Sequence, residues 1–234
     1  MLAGILDRGL EELLEKQEQL NKEGAKQDRL PRMRLEKTVY IEETDTYLIP
    51  GGEYTATVTG YDWEYVNLKG GHAEGGTLTL LWHERAGLVI CGGMSQYTMR
   101  EANNMQLPRF GRHECVTPRL ECTALDGKTV YSSLYDGRCK MIFSETGAGT
   151  VIAVKGRLTD INHHILEDGG AYDAEYSFED GGVRVRINVN QNARFILPLV
   201  SGRTENAVWD ERGMTIEKRA SRVHVNVENG VFHL

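Results

Sequence analysis

Signals for tight β-hairpins recur through most of this chain and limit it to folds built from antiparallel strands. Asp-Gly and Asn-Gly pairs tolerate the positive φ values that two-residue hairpin turns require. They occur at Asp126-Gly127, Asp136-Gly137, Asp168-Gly169, Asp180-Gly181 and Asn229-Gly230. Segments 183–189 and 223–227 alternate apolar and polar residues with the period of a strand that buries one face.

The rest of the pattern extends this prediction to nearly the whole chain. About eleven segments are strand candidates: 37–41, 53–59, 77–83, 88–91, 129–135, 150–158, 174–178, 183–189, 194–199, 214–218 and 223–227. Helical segments do not alternate with these strands, as they would around a parallel sheet. The sequence therefore predicts an all-β fold, either an antiparallel sandwich or a barrel.

The first 23 residues have a different period, which predicts one amphipathic helix. Most of its leucines share one face, and charged residues cover the other: the apolar positions are Leu6, Leu10, Leu13, Leu14 and Leu20. Gly24 is a plausible stop, and a polar segment with Pro31 follows. We expect residues 1–34 to form a helix with its connecting segment and residues 35–234 to form the β-sandwich domain.

The distribution of charge along the chain disfavours binding to nucleic acids and anionic membranes. Of the net charge of −7, none comes from residues 1–37, which hold eight basic and eight acidic side chains. The remainder holds 19 basic and 26 acidic side chains and is a poor partner for nucleic acid or an anionic membrane. The apolar residues at the start lack a basic region before them, so no signal peptide is predicted. Localisation stays open, with the cytoplasm as the default expectation.

The four cysteines do not form a disulfide or metal-binding pattern. Cys91, Cys115, Cys122 and Cys139 lack CxxC spacing, and their density is too low for a disulfide scaffold. Buried free thiols are the expected state. The alternative is a single bridge, for which Cys115 and Cys122 are the best pair.

Aromatic and amide side chains concentrate in the first half of the predicted β region. A sugar ring offers both C–H faces and hydroxyls, so sites for glycans combine flat aromatic faces with amide hydrogen-bonding groups. The glycan-contact candidates of this kind are Tyr61, Trp63, Tyr97, Asn103, Asn104 and Gln106. Trp82 is also nearby, but its apolar neighbours predict a core position. Three arginines, Arg100, Arg109 and Arg112, flank the amides and are candidates for contact with a substrate carboxylate.

Histidines provide a weaker candidate for a metal site. His72 and His83 flank a glycine-rich turn and can share a divalent cation if the turn brings them together. Neither an HxH nor an HExxH spacing supports this arrangement, so ordinary surface histidines are the alternative. His163 and His164 are adjacent and are expected in a solvated loop, since neighbouring strand residues point to opposite faces. No other cofactor is predicted.

The stretch from Tyr61 through the glycine-rich segment 70–76 to the strand 77–83, continuing into Gly92-Gly93-Met94 and residues 103–108, resembles the C-terminal β-sandwich region of heparinase II/III-like polysaccharide lyases. The resemblance covers approximately residues 54–234. It implies a layered β-sandwich of the supersandwich kind, preceded by a helical toroid domain that supplies the catalytic tyrosine and histidine. Some members of that family hold a metal in the β part.

A helical toroid needs several hundred residues, and this chain contains one predicted helix. The resemblance therefore implies fold and substrate class, and it assigns no catalytic residue here. The first hypothesis is a non-catalytic β-sandwich domain of a lyase that acts on uronic-acid-containing glycans, with a polysaccharide or a helical catalytic domain as its partner. A stand-alone carbohydrate-binding module and a small complete enzyme are the alternatives. The enzyme requires a concave site with at least two convergent ionisable groups.

Overall fold

The computed structural model describes residues 35–61, 75–93, 115–189, 192–211, 213–218, 220–228 and 231–234. In these ranges the chain forms sixteen strands: β1 (Val39–Ile41), β2 (Thr46–Pro50), β3 (Tyr54–Thr59), β4 (Thr77–His83), β5 (Gly87–Cys91), β6 (Arg119–Thr123), β7 (Val130–Ser132), β8 (Lys140–Thr146), β9 (Gly149–Arg157), β10 (Ala171–Glu179), β11 (Gly182–Val189), β12 (Arg194–Ile196), β13 (Ala207–Asp210), β14 (Gly213–Glu217), β15 (Arg222–Glu228) and β16 (Val231–His233). Two short 3-10 helices, Glu42–Thr44 and Ser133–Tyr135, interrupt them.

The strands form three sheets. A five-stranded sheet follows chain order from β1 to β5, and a three-stranded sheet has the order β12-β6-β7. An eight-stranded sheet has the order β13-β14-β15-β16-β11-β10-β9-β8. Every pairing between these strands is antiparallel, which confirms the all-β antiparallel prediction.

One hydrophobic core joins the five-stranded sheet to the eight-stranded sheet. Alternate residues of β3, Ala56 and Val58, are fully buried together with Ile152 of β9 and Val185 of β11. Gly76, beside β4, lies so close to Val154 that an added Cβ would fall 2.4 Å from its side chain. The two sheets therefore pack face to face at this point.

The sequence located the strands that alternate and missed those that do not. Segments 77–83 and 183–189 coincide closely with β4 and β11, and the turn at Asp180-Gly181 lies between β10 and β11. The prediction omitted β2, β6, β8, β13 and β16. Strand β8 shows the reason, because it is an edge strand and nearly all its residues are exposed on both faces. Such a strand lacks the apolar period that marks one buried face.

Several other expectations are corrected or lie beyond the described ranges. The predicted N-terminal helix, residues 1–23, lies outside them, and no α-helix occurs within them. Trp82 is not in the core: it lies on the face of β4 opposite to Leu81 and is 37% exposed. All four cysteines are free thiols, as expected, although they are half-buried rather than buried.

Candidate functional site

A cleft of about 600 Å³ opens where β8 begins and β9 ends. The loop after β9 forms its remaining wall and is tied to β7 by hydrogen bonds between the backbones of Ser132 and Thr159. We call this cleft the basic cleft, because four of its lining residues carry cationic side chains. The lining consists of Tyr135, Asp136, Gly137, Arg138, Lys140, Lys155, Gly156, Arg157, Thr159, Asn162, His163 and Ile165.

Strand geometry brings the four cations together. Lys155 and Arg157 of β9 are two positions apart, the spacing that places side chains on the same face of a strand, and Arg138 lies in the turn just before Lys140 begins β8. In the β8–β9 pairing Lys140 lies directly opposite Lys155. All four residues are exposed. The hairpin therefore concentrates positive charge on one end of an otherwise acidic domain.

Three of these cations have no carboxylate partner among the described residues. Lys140, Lys155 and Arg157 form no ion pair there, although Asp173 lies opposite Lys155 on β10. Elsewhere on the same sheet, arginines are paired across neighbouring strands: Arg186 of β11 lies 3.6 Å from Glu175 of β10. Among the described residues, these three cations therefore differ from Arg186 of the same sheet in having no carboxylate partner.

A buried carboxylate holds the backbone around these cations. The N–H groups of Arg138 and Arg157 donate to Asp136 at 3.1 and 2.7 Å, and the Tyr172 hydroxyl donates at 3.3 Å. Burial raises the pKa of Asp136, and the three hydrogen bonds oppose part of that rise. Asp136 thereby fixes the loop before β8 to the last residue of β9.

Tyr172 of β10 links this carboxylate to the segment just before β4. The Tyr172 hydroxyl also contacts the carbonyl oxygen of Gly75 at 2.9 Å, and burial raises its pKa well above the usual value. Gly156 permits the arrangement, since an added Cβ would fall 2.4 Å from both Asp136 and Tyr172. Gly75 has a φ of +74°, and its Cβ would clash with the Ser133 carbonyl oxygen. The base of the cleft is closely packed and tolerates no side chain at either glycine.

His163 lies on the loop wall in the left-handed region, at φ +64°. Its Nδ1 lies 2.8 Å from the carbonyl oxygen of Tyr135, so Nδ1 carries the proton and donates. The Nε2 atom is then the acceptor of the neutral ring. His164 is exposed and contacts Asp160 at 3.1 Å. The pair lies in the loop between β9 and β10, as predicted, but His163 is half-buried.

Most site candidates from the sequence lie outside the described residues. These are Trp63, His72, Tyr97, Arg100, Asn103, Asn104, Gln106, Arg109 and Arg112. Tyr61 is described and is half-buried, with a φ of +46°. Gly75, which the Tyr172 hydroxyl contacts, follows the stretch containing Trp63 and His72 in the sequence.

His83, the remaining candidate, lies in a second cleft of about 310 Å³ that Arg85, Gly181, Arg222 and His224 also line. Its Nδ1 accepts hydrogen bonds from the N–H groups of Arg85 and Ala86, at 3.1 and 3.3 Å, and so closes the β4–β5 turn. Its Nε2 lies 3.5 Å from Glu53. We call this the paired cleft, because Arg85 also contacts Glu53 at 2.9 Å and Arg222 contacts Glu217 at 2.8 Å.

Within the described ranges, no three His, Cys, Asp or Glu side chains are grouped so as to hold a metal ion. The proposed partner of His83, His72, lies outside them. In the same part of the chain, no helix has the length and apolar character needed to cross a membrane.

Comparison with known proteins identifies the family of this β domain. The model of the ulvan lyase C-terminal domain family matches residues 39–233. The chain belongs to this family. A broad-specificity ulvan lyase from Formosa agariphila is 27% identical over 196 residues, which cover 81% of this chain. The chain spans 30% of the length of that relative. No solved structure matches the chain.

Family membership confirms the broader part of the resemblance seen in the sequence, namely to the C-terminal domain of a polysaccharide lyase. The specific kinship with heparinase II/III-like lyases is not part of that finding. The basic cleft was missed by sequence reasoning. Its signal was present as two basic pairs at strand spacing, 138/140 and 155/157, but joining them required the unpredicted strand β8.

Proposed function

We propose that this chain is a non-catalytic β domain of a polysaccharide lyase that acts on uronic-acid-containing glycans, ulvan among them. The observation that carries the proposal is the family match over residues 39–233, combined with coverage of 30% of a broad-specificity ulvan lyase. The domain would close the substrate cleft of a catalytic domain with which it associates.

Kinship with heparinase II/III-like lyases is part of the same proposal. It gives the β domain a supersandwich arrangement and a helical toroid as its partner, with residues 1–34 as the helix and connecting segment between them. The proposed glycan contacts remain Tyr61, Trp63, Tyr97, Asn103, Asn104 and Gln106, with Arg100, Arg109 and Arg112. A metal shared by His72 and His83 has less support, because His83 Nδ1 already accepts two backbone hydrogen bonds.

A small complete enzyme is the second candidate, and the basic cleft favours it. Elimination next to a uronate needs a base, an acid and a group that neutralises the carboxylate. His163 and Arg157 both line one concave site, which meets the requirement for convergent ionisable groups.

An absorbance assay separates the two candidates. Elimination creates an unsaturated uronate that absorbs in the ultraviolet, so the purified 234-residue chain is incubated with ulvan beside an active ulvan lyase. We expect product from the lyase and none from the chain. Product formed by the chain and abolished by His163→Ala would replace the accessory-domain proposal with the complete enzyme.

A further inference from the structure

We propose that the basic cleft binds the anionic groups of an acidic glycan, and so gives this domain a binding site of its own. The class of polymer rests on the proposed function, whereas the site itself rests on the arrangement of the cleft. The shared chemistry is an anionic oxygen group on a sugar, which can be a carboxylate or a sulfate ester.

The first support is the juxtaposition of like charges. Lys140 and Lys155 are directly opposite each other across two strands, an arrangement that destabilises a sheet unless a counter-charge is present. Neither lysine, nor the neighbouring Arg157, is ion-paired with a described residue, while Arg186 on the same sheet is paired with Glu175. A bound anion would supply the missing counter-charge.

The second support is that the backbone is held from below at two of the four cations. Asp136 is 5% exposed and accepts hydrogen bonds from the backbone of both Arg138 and Arg157. Its buried carboxyl therefore fixes the chain at both residues. A backbone that is already fixed loses less conformational freedom on binding than a mobile loop does.

The third support is the remaining lining, which suits a sugar better than a bare ion. Ile165 is 42% exposed and offers an apolar surface to the C–H face of a ring. Asn162 and His163 add polar groups at the same wall, and the volume of about 600 Å³ is within the range of small-ligand sites. Among the described residues, the acidic groups near the cleft include Asp136, which accepts three hydrogen bonds, Asp173, which lies opposite Lys155, and Asp160, which contacts His164.

The test compares the wild-type chain with Lys155→Glu and with a matched control, Arg186→Glu. Both substitutions change the charge by the same amount on one sheet, but Arg186 already has a carboxylate partner. Binding is measured by calorimetry with polygalacturonate, which carries carboxylates, with dextran sulfate, which carries sulfate esters, and with neutral dextran. Far-ultraviolet circular dichroism checks that each variant is folded. If Lys155→Glu is not folded, Lys155→Gln replaces it.

We expect the wild type to bind at least one acidic polymer and not dextran, and Lys155→Glu to weaken that binding about tenfold or more. Arg186→Glu should weaken it less than about twofold, since exposed paired charges contribute little. The polymer preferred by the wild type identifies the anionic group. Equal losses in both variants, an unchanged affinity in Lys155→Glu, or binding of neither acidic polymer would overturn the inference. None of these outcomes bears on the absorbance assay, so failure of the cleft leaves the accessory-domain proposal standing.

Discussion

Two clefts in the same β domain are lined by basic side chains, and they differ in how those charges are compensated. In the paired cleft, Glu53 contacts both His83 and Arg85, and Glu217 contacts Arg222. In the basic cleft, Lys140 faces Lys155 and no described carboxylate pairs with either. Basic residues in a concave surface are therefore not sufficient to indicate a ligand. What distinguishes the basic cleft is that Lys140, Lys155 and Arg157 have no carboxylate partner in the part of the chain that the structure describes.

The two clefts also differ in how tightly their backbones are packed, and glycine substitutions should expose this most strongly. Gly156→Ala places a Cβ against Asp136 and Tyr172, and we expect it to lower the free energy of unfolding by roughly 3 kcal/mol. Gly181 lines the paired cleft and has no atom near its Cβ position, but its φ is +89°. Gly181→Ala should cost about 1 kcal/mol from backbone strain alone. Urea unfolding measures both, and equal losses would show that the base of the basic cleft is not specially packed.

Buried Tyr54 lines the paired cleft and buried Tyr172 contacts lining residues of the basic cleft, and removal of either hydroxyl should have an intermediate effect. Tyr54 of the paired cleft donates to backbone carbonyls of Glu179 and Gly182, which neighbouring groups or water can satisfy. Tyr172 donates to buried Asp136 and to Gly75. We expect Tyr172→Phe to cost about 2 kcal/mol and Tyr54→Phe about 1 kcal/mol, because unsatisfied buried acceptors are costly. Thermal unfolding of the two variants would contradict this ranking if Tyr54→Phe were the less stable.

The raised pKa values of these and one other tyrosine make the stability of the folded state depend on pH. Burial raises the pKa of Tyr54 and Tyr172 in the folded state, and a hydrogen bond to Asp45 raises the pKa of Tyr40 to about 12. Above about pH 10 the unfolded chain loses these protons while the folded chain keeps them, so the unfolded state binds fewer protons. The stabilising contribution is therefore complete below about pH 10 and is lost as the pH rises toward the folded values.

Melting temperatures measured between neutral pH and about pH 11 should fall most steeply above pH 10 in the wild type. The double variant Tyr54→Phe/Tyr172→Phe, which lacks both of these phenols, should show a shallower decline. A decline of the same slope in both proteins would mean that these two groups do not contribute the alkaline dependence.

Surface charge changes should have the smallest effects and opposite signs in the two clefts. Lys140→Glu replaces a like-charge pair with an opposite-charge pair across β8 and β9, and should raise the free energy of unfolding by about 0.5 kcal/mol. Arg85→Glu removes the partner of Glu53 and should lower it by about 0.5 kcal/mol. Chemical unfolding at low ionic strength gives the sign of each change. A loss of stability in Lys140→Glu would indicate that this lysine already has a stabilising partner.

The sequence predicted the strands that bury one face, because such strands alternate apolar and polar residues. The alternation in 183–189 gave β11, and Asp180-Gly181 gave the turn before it, because both signals are local. The basic cleft could not be predicted in the same way. It depends on the register that places Lys140 opposite Lys155, and on a strand, β8, that is exposed on both faces. Asp136-Gly137 shows a related failure: the sequence predicts a hairpin turn there, whereas Asp136 ends a 3-10 helix and is buried.

The central claim is that Lys140, Lys155 and Arg157, which pair with no described carboxylate, allow the basic cleft to bind an acidic glycan. Melting temperatures of the wild type and Lys140→Glu, measured without polymer and then with saturating polygalacturonate or dextran sulfate, test it most directly. A ligand that binds only the folded state raises the melting temperature. We predict that without polymer the variant melts no lower than the wild type, and that with polymer the wild type alone gains stability. An equal gain in both proteins would contradict the claim.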